Sequence, residues 1–275
     1  MIIDAHQHFW QVERGDYGWL DESVAAIAKD YGPEHLAPMA GACGVGGTVL
    51  VQAAPTVEET EYLLALADDT PLVQGVVGWV DLEGDVPGQL ARISHPALKS
   101  LRPMLQDIED TDWLLRPAVI EGLRYVARAG LRFDALVTPR HLPMLERFVA
   151  DLPELPVVID HCAKPVFSGS DPGAEWRAGM DRLAAHGHVF CKLSGLANEY
   201  GPGWSAEGLR EVAGHVLKAF GPERVMWGSD WPVLELVGDY KRWFEAAQML
   251  TRGLSAQERA AVFGGTARRF YGLED

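Results

Sequence analysis

Met1-Ile2-Ile3-Asp4-Ala5-His6-Gln7-His8-Phe9-Trp10 opens the chain and decides how the rest is read. Met1 to Ala5 has the length and character of a short buried strand, and two histidines follow at i and i+2. Alternate residues of a strand point to one side, so His6 and His8 can turn both imidazoles toward one point. Imidazoles converging at a strand end bind a divalent cation or a reacting carbonyl. An isolated His-x-His is more often a polar pair where a strand leaves the core, so the reading depends on what ends the other strands.

Working outward, strand-like and helix-like segments alternate to the C-terminus. Further strands are expected at residues 47–54, 73–82, 98–104, 131–137, 156–161, 189–194 and 224–230. Helices are expected near 21–29, from a capping box at Thr56 to Glu59, after Pro87, and at 114–129, 139–152, 173–185, 205–220, 239–250 and 255–271. Val157-Val158-Ile159 is apolar without interruption, as suits a strand buried on both faces. Eight such strands, each followed by a helix or long loop, describe an α/β (β/α)8 TIM barrel, a single domain over residues 1–275. An open doubly wound sheet would want a Gly-rich turn after an early strand, whereas Gly44-Val45-Gly46-Gly47 precedes one.

Composition narrows the partners. The 275 residues are 48% hydrophobic and 23% charged, an ordinary globular mixture able to bury a large core. No run of eighteen apolar residues is present and the chain starts directly on a strand, so neither a membrane span nor a signal peptide is expected. A formal net charge of −15 argues against nucleic acid and anionic membranes. Cys43, Cys162 and Cys191, odd in number and far apart, make no disulfide framework and fit a reducing cytoplasm. A homo-oligomer is permitted but not specified.

Barrel enzymes work at the C-terminal ends of the strands. Those ends carry His6 and His8, Trp79 and Asp81, Arg102, His161 with Lys164 beyond it, Lys192 and Ser194, and Asp230. Three histidines, an aspartate and three cations at one rim form a candidate site. Among nine tryptophans, Trp10, Trp79 and Trp231 flank these positions and are candidates for a sugar platform, while Trp227 inside a strand reads as core. His186-Gly187-His188 repeats the opening spacing but enters a strand, so it falls at the opposite rim and reads as surface.

His6-Gln7-His8, Asp160-His161 and Gly228-Ser229-Asp230-Trp231-Pro232 together resemble the amidohydrolase superfamily. With Leu101-Arg102-Pro103, Lys192-Leu193-Ser194-Gly195 and the segment 263–273, the chain is similar from end to end to its lactonase branch, which opens sugar lactones and pyrone-dicarboxylate. Thr266 stands where relatives of that branch carry Asn. The fifth strand offers no histidine and Arg102 occupies the neighbourhood of a bridging ligand, so a two-metal centre is not expected. The resemblance implies one divalent ion, Zn2+, on His6, His8, His161 and Asp230, or a metal-independent variant of the same site. It implies hydrolysis of a fucono-, rhamnono- or galactono-lactone to its aldonic acid, with Asp230 as general base and His161 protonating the ring oxygen. Arg102, Lys164 and Lys192, with Trp10, Trp79 and Trp231, are then the substrate-binding candidates. Arg102 and Lys164 leave open a carboxylated lactone; a decarboxylase and a non-catalytic barrel are the remaining alternatives.

Overall fold

In a computed structural model, which describes residues 1–274, the apolar runs lie side by side in chain order as parallel strands. They are β1 (Ile2–Gln7), β2 (Val45–Val51), β3 (Val73–Gly78), β4 (Leu98–Leu101), β5 (Arg132–Ala135), β6 (Val157–Ile159), β7 (Val189–Leu193) and β8 (Val225–Trp227). Asp275, the last residue of the expected span, lies outside the described residues. Beyond β8 the chain returns to β1: the Asp230 N–H donates to the His6 carbonyl at 2.8 Å, and the His8 N–H to the Trp231 carbonyl at 2.8 Å. That seam closes the sheet as the (β/α)8 barrel expected from the pattern.

The lower interior is apolar. Ile3, Ala5, Val49, Val51, Val77, Val158 and Met226 pack there, and Phe270, Tyr271 and Leu273 at the chain's end join the same cluster from below. Above this layer the interior turns polar, so the apolar plug supports the site from beneath. Register decides which side chains reach it. Asp4 pairs with Thr48 and Gln7 with Leu50, three steps along β1 against two along β2, so β1 carries a bulge. Across it Ala5 joins the interior cluster and the next residue, His6, also meets interior groups, Lys192 and Asp160. Strict alternation would have sent one of the two outward.

Several local expectations change. The strands are shorter than their apolar patterns, because the residues just past them turn to form the rim. Residues 22–27 make only a tight 3-10 stretch, and an unexpected α-helix covers Pro33–Ala42 with Pro38 inside it. Thr56 caps the helix Val57–Asp69 through the Glu59 N–H at 3.0 Å, but the Glu59 carboxylate does not close the box. It accepts instead from the N–H groups of Ala53 and Ala54, fixing the loop after β2. The last expected helix is broken by a wide turn at Ala261–Gly265, where Gly264 presses on the Met1 carbonyl. Among the described residues no helix is long and apolar enough to cross a membrane.

Candidate active site

Past Ile159 the chain enters left-handed backbone. His161, Cys162, Ala163 and Lys164 have φ of 52°, 52°, 59° and 48°, and Asp230 has φ of 59°. A non-glycine residue there costs roughly 1–2 kcal/mol and persists only where its surroundings over-determine it. Here Trp176 Nε1 donates to the Cys162 carbonyl at 2.9 Å, and Gly195 presses on the His161 ring, where a Cβ would come within 2.5 Å of Nδ1. The strain aims His161 into the barrel mouth.

Four donors converge at that mouth. His6 Nε2 and His8 Nε2 are 3.2 Å apart. Asp230 Oδ1 stands 3.7 Å from His6 Nε2, 3.5 Å from His8 Nε2 and 3.7 Å from His161 Nε2. His6, His161 and Asp230 each offer a ligand atom within 4.8 Å of the others, the one such group of three among the described residues. Each imidazole is held from behind through Nδ1: His8 by the Val51 carbonyl at 2.8 Å, His161 by Ser194 Oγ at 2.9 Å. His6 Nδ1 faces Asp160 Oδ1 at 3.4 Å and Lys192 Nζ at 3.0 Å. Partners of this kind orient a ligating histidine and select its tautomer.

Behind His6 lies a buried ionic network. Lys192 Nζ is 2.5 Å from Asp134 Oδ2 and 2.9 Å from Asp160 Oδ1, and Arg102 reaches Asp160 Oδ2 at 3.3 Å. Tyr271 and Ser100 donate to Asp134 at 2.7 and 2.6 Å. Arg102 also donates to the Gln52 carbonyl, and Gln52 Nε2 to that of Arg102 at 2.6 Å.

The electrostatics follow from depth and partners. Burial holds the His161 imidazole down at about 4, outweighing Asp230 and Asp160. Burial, then the Lys192 ammonium, holds His6 well below the usual imidazole range. For Asp230 burial acts upward, yet His161 and the hydrogen bond from His8 outweigh it and hold the carboxyl below the usual carboxylate range. Burial likewise opposes ionisation of Asp160, and Lys192 and His6 overcome it.

A cavity of about 300 Å³ opens over this cluster, lined by His8, Arg102, His161, Lys164 and Asp230 with Trp19, Leu136 and Leu236. Three of the substrate-binding expectations fail on burial. Lys192 is fully enclosed and holds the network together, with no surface to offer a ligand. Trp10 is enclosed by Tyr17, Trp19 and Tyr31 and donates to the Lys29 carbonyl. Trp231 follows Asp230 and turns away from it, onto Phe9 and Tyr31, with Nε1 on Glu235 at 2.8 Å. Trp79 stands half-buried in a neighbouring trough, outside the cavity, and Asp81 is in an exposed turn. Arg102 and Lys164 do reach the wall, but Arg102 is committed to Asp160 and Gln52, and Lys164 pairs with Glu199 at 3.0 Å. The sequence reading assigned no role to Asp134, Asp160, Gln52 or Tyr271. A lone carboxylate inside an apolar strand was the visible signal for Asp134; nothing local marks Tyr271.

A parallel barrel with histidines ending β1 and β6 and an aspartate past β8 is the architecture of one class of hydrolase, and the chain belongs to it: the amidohydrolase family model matches residues 3–273. Within that family it is 44% identical over 278 residues to L-fucono-1,5-lactonase of Burkholderia ambifaria, spanning 99% of this chain and 96% of that protein. It is 37% identical over 297 residues to L-fucono-1,5-lactonase of Burkholderia multivorans, again 99% of this chain and 96% of that one. A crystal structure of a Burkholderia multivorans amidohydrolase with bound zinc superimposes with a TM-score of 0.94 at 36% identity, over 100% of both chains.

Proposed function

We propose that this chain hydrolyses neutral sugar lactones of the L-fucono-1,5-lactone kind to their aldonic acids, working as one domain in a reducing cytoplasm. The observation that carries the reading is the convergence of His6, His8, His161 and an ionised Asp230 under a cavity whose two cations are already paired. A carboxylated lactone would need a free cation in that wall. The 44% and 37% identical relatives support the same substrate class.

The donor set fits a divalent ion. His8 gives its Nδ1 proton to the Val51 carbonyl, which leaves its Nε2 lone pair facing the mouth, 3.2 Å from His6 Nε2 and 3.5 Å from Asp230 Oδ1, with His161 Nε2 3.7 Å from that same carboxylate oxygen. Donors about 2.0–2.1 Å from a tetrahedral ion stand roughly 3.3 Å from one another. Three imidazoles and a carboxylate suit Zn2+, and His6, His8, His161 and Asp230 would hold it. When bound, such an ion polarises the lactone carbonyl or acidifies a water molecule.

The protein's own groups do the rest. Asp230, ionised and facing the cavity, takes the proton from water as it attacks the carbonyl carbon. Its conjugate acid then returns that proton to the ring oxygen as the C–O bond breaks. His161, neutral and bound to Ser194 through Nδ1, serves better as a ligand than as that acid. Leu136, Val233 and Leu236 line the cavity with apolar surface and limit bulk water.

Purified protein given L-fucono-1,5-lactone should release acid, followed with a pH indicator, and Asp230→Asn should lower kcat/KM by about 10²–10⁴-fold with an unchanged circular dichroism spectrum. Absence of hydrolysis of L-fucono-, L-rhamnono- and D-galactono-lactones would overturn the reading.

A further inference from the structure

Beside the catalytic cavity runs a second depression of about 430 Å³. The two share Trp19, Met104 and Asp107, so they adjoin along a common wall. The catalytic cavity, about 300 Å³, sits at the lower end of small-molecule pockets, which run from about 300 to 1,000 Å³. It has room for one sugar lactone. The trough has room for a second ring.

Its chemistry is specific. Trp19, Trp79 and Trp113 line it, and two of these indoles are anchored through their N–H groups: Trp19 to the Ala53 carbonyl at 2.7 Å and Trp113 to Glu83 at 2.9 Å. Thr60 Oγ1 accepts from the Trp79 N–H at 2.8 Å and donates to the Trp79 carbonyl at 3.2 Å, so that residue is also fixed in place. Anchored rings present faces and edges to a ligand, surfaces that match the C–H faces of a pyranose. Asp16, Asp81 and Asp107 stand among them and no lysine or arginine lines the trough. Carboxylates accept from hydroxyl groups and repel anions, so the occupant is neutral and hydroxylated.

We infer that the trough holds a second sugar ring, and that the enzyme accepts 1,5-lactones glycosylated at O4. In a six-membered lactone C4 lies across the ring from the reacting C1. A carbonyl seated on the histidine cluster points its O4 substituent away from that cluster, and on this inference the substituent sits over the shared wall of Trp19, Met104 and Asp107. The reaction is unchanged: water adds at C1 and the C1–O5 bond breaks. This inference rests on the lactonase reading and extends its substrate class.

The test compares L-fucono-1,5-lactone with its 4-O-β-D-glucopyranosyl derivative on wild type, Trp79→Ala and Gly18→Tyr. Gly18 lines the trough and a Cβ there meets nothing within 4 Å, so the tyrosine can enter the space meant for the second ring. Wild type should process the extended lactone with a kcat/KM at least equal to the parent's. Each variant should lower that value about three- to tenfold, the size of an aromatic contact, while the parent lactone changes less than about twofold. The inference is overturned if wild type hydrolyses the parent but the extended lactone more than about a hundredfold more slowly, well beyond the loss of one contact, or if both variants slow the two lactones alike. Inactivity on the parent overturns the lactonase reading itself, and this extension with it.

Discussion

The chain carries the same three-residue spacing twice, and among the described residues only the first copy contributes to a cluster of potential metal donors. His6-Gln7-His8 and His186-Gly187-His188 have similar ring arrangements, centroids 4.9 and 5.8 Å apart and planes at 77° and 78°. What differs is everything around them. The first pair leaves β1 at the barrel mouth, where Asp230 and His161 arrive from elsewhere in the fold and Asp160, Lys192 and Val51 hold the rings from behind. The second enters β7 at the opposite rim, half-exposed, with His188 bound to the Val149 carbonyl, and forms no three-donor group among the described residues. Spacing supplies two nitrogens; placement in the barrel supplies the carboxylate, the third imidazole and the apolar supporting layer.

That contrast can be broken most sharply by deleting each pair. His6→Ala/His8→Ala should lower kcat/KM on L-fucono-1,5-lactone on the order of a thousandfold, while His186→Ala/His188→Ala stays within about twofold. Equal losses would erase the distinction. Next in size is the support. Lys192→Met leaves Asp134 buried without its cation and Asp160 with Arg102 alone, and should cost about 3–5 kcal/mol in urea unfolding. Removal of the exposed Arg210–Glu207 pair should cost less than about 1 kcal/mol.

The glycines sharpen the comparison further. A Cβ at Gly228 would come 2.7 Å from His6 Cβ, whereas one at Gly187 meets nothing within 4 Å. Gly228→Ala should therefore displace His6 and lower kcat about ten- to a hundredfold, and Gly187→Ala should leave it unchanged. The smallest effect is on pH. In metal-stripped protein His6 and His161 are neutral when folded, with His161 at about 4 against 6.5 when unfolded. The unfolded chain then binds more protons between those values, so stability falls as pH drops from 6.5 toward 4, by up to about 1.4 kcal/mol per pH unit for each histidine. Calorimetry at pH 7 and 4.5 should show a fall in Tm that is reduced in His161→Asn. The half-buried His188, shifted in the same direction, should matter less.

Most of the barrel was legible because buried parallel strands write themselves as short apolar runs, and rim residues follow those runs directly. The helix Pro33–Ala42 was hidden by Pro38, a residue that ordinarily ends helices. The candidate site was legible where a potential donor sits at or just past a strand end, as with His6, His8, His161 and Asp230. It was illegible where function depends on register. Asp134 and Asp160 become partners of Lys192 only because β5, β6 and β7 pair as they do. The β1 bulge and the left-handed run from His161 to Lys164 oppose local preference, so tertiary contacts impose them. Trp10 and Trp231 show the converse error: a neighbour in sequence of a site residue need not share its direction.

The most direct test of the account is a zinc titration of metal-stripped protein, followed together by calorimetry and by hydrolysis of L-fucono-1,5-lactone. The account predicts one ion per chain, activity restored in step with its binding, and neither in His6→Ala/His8→Ala. Full activity in the stripped protein, or an ion that still binds when His6 and His8 are gone and disappears with His186 and His188, would contradict it.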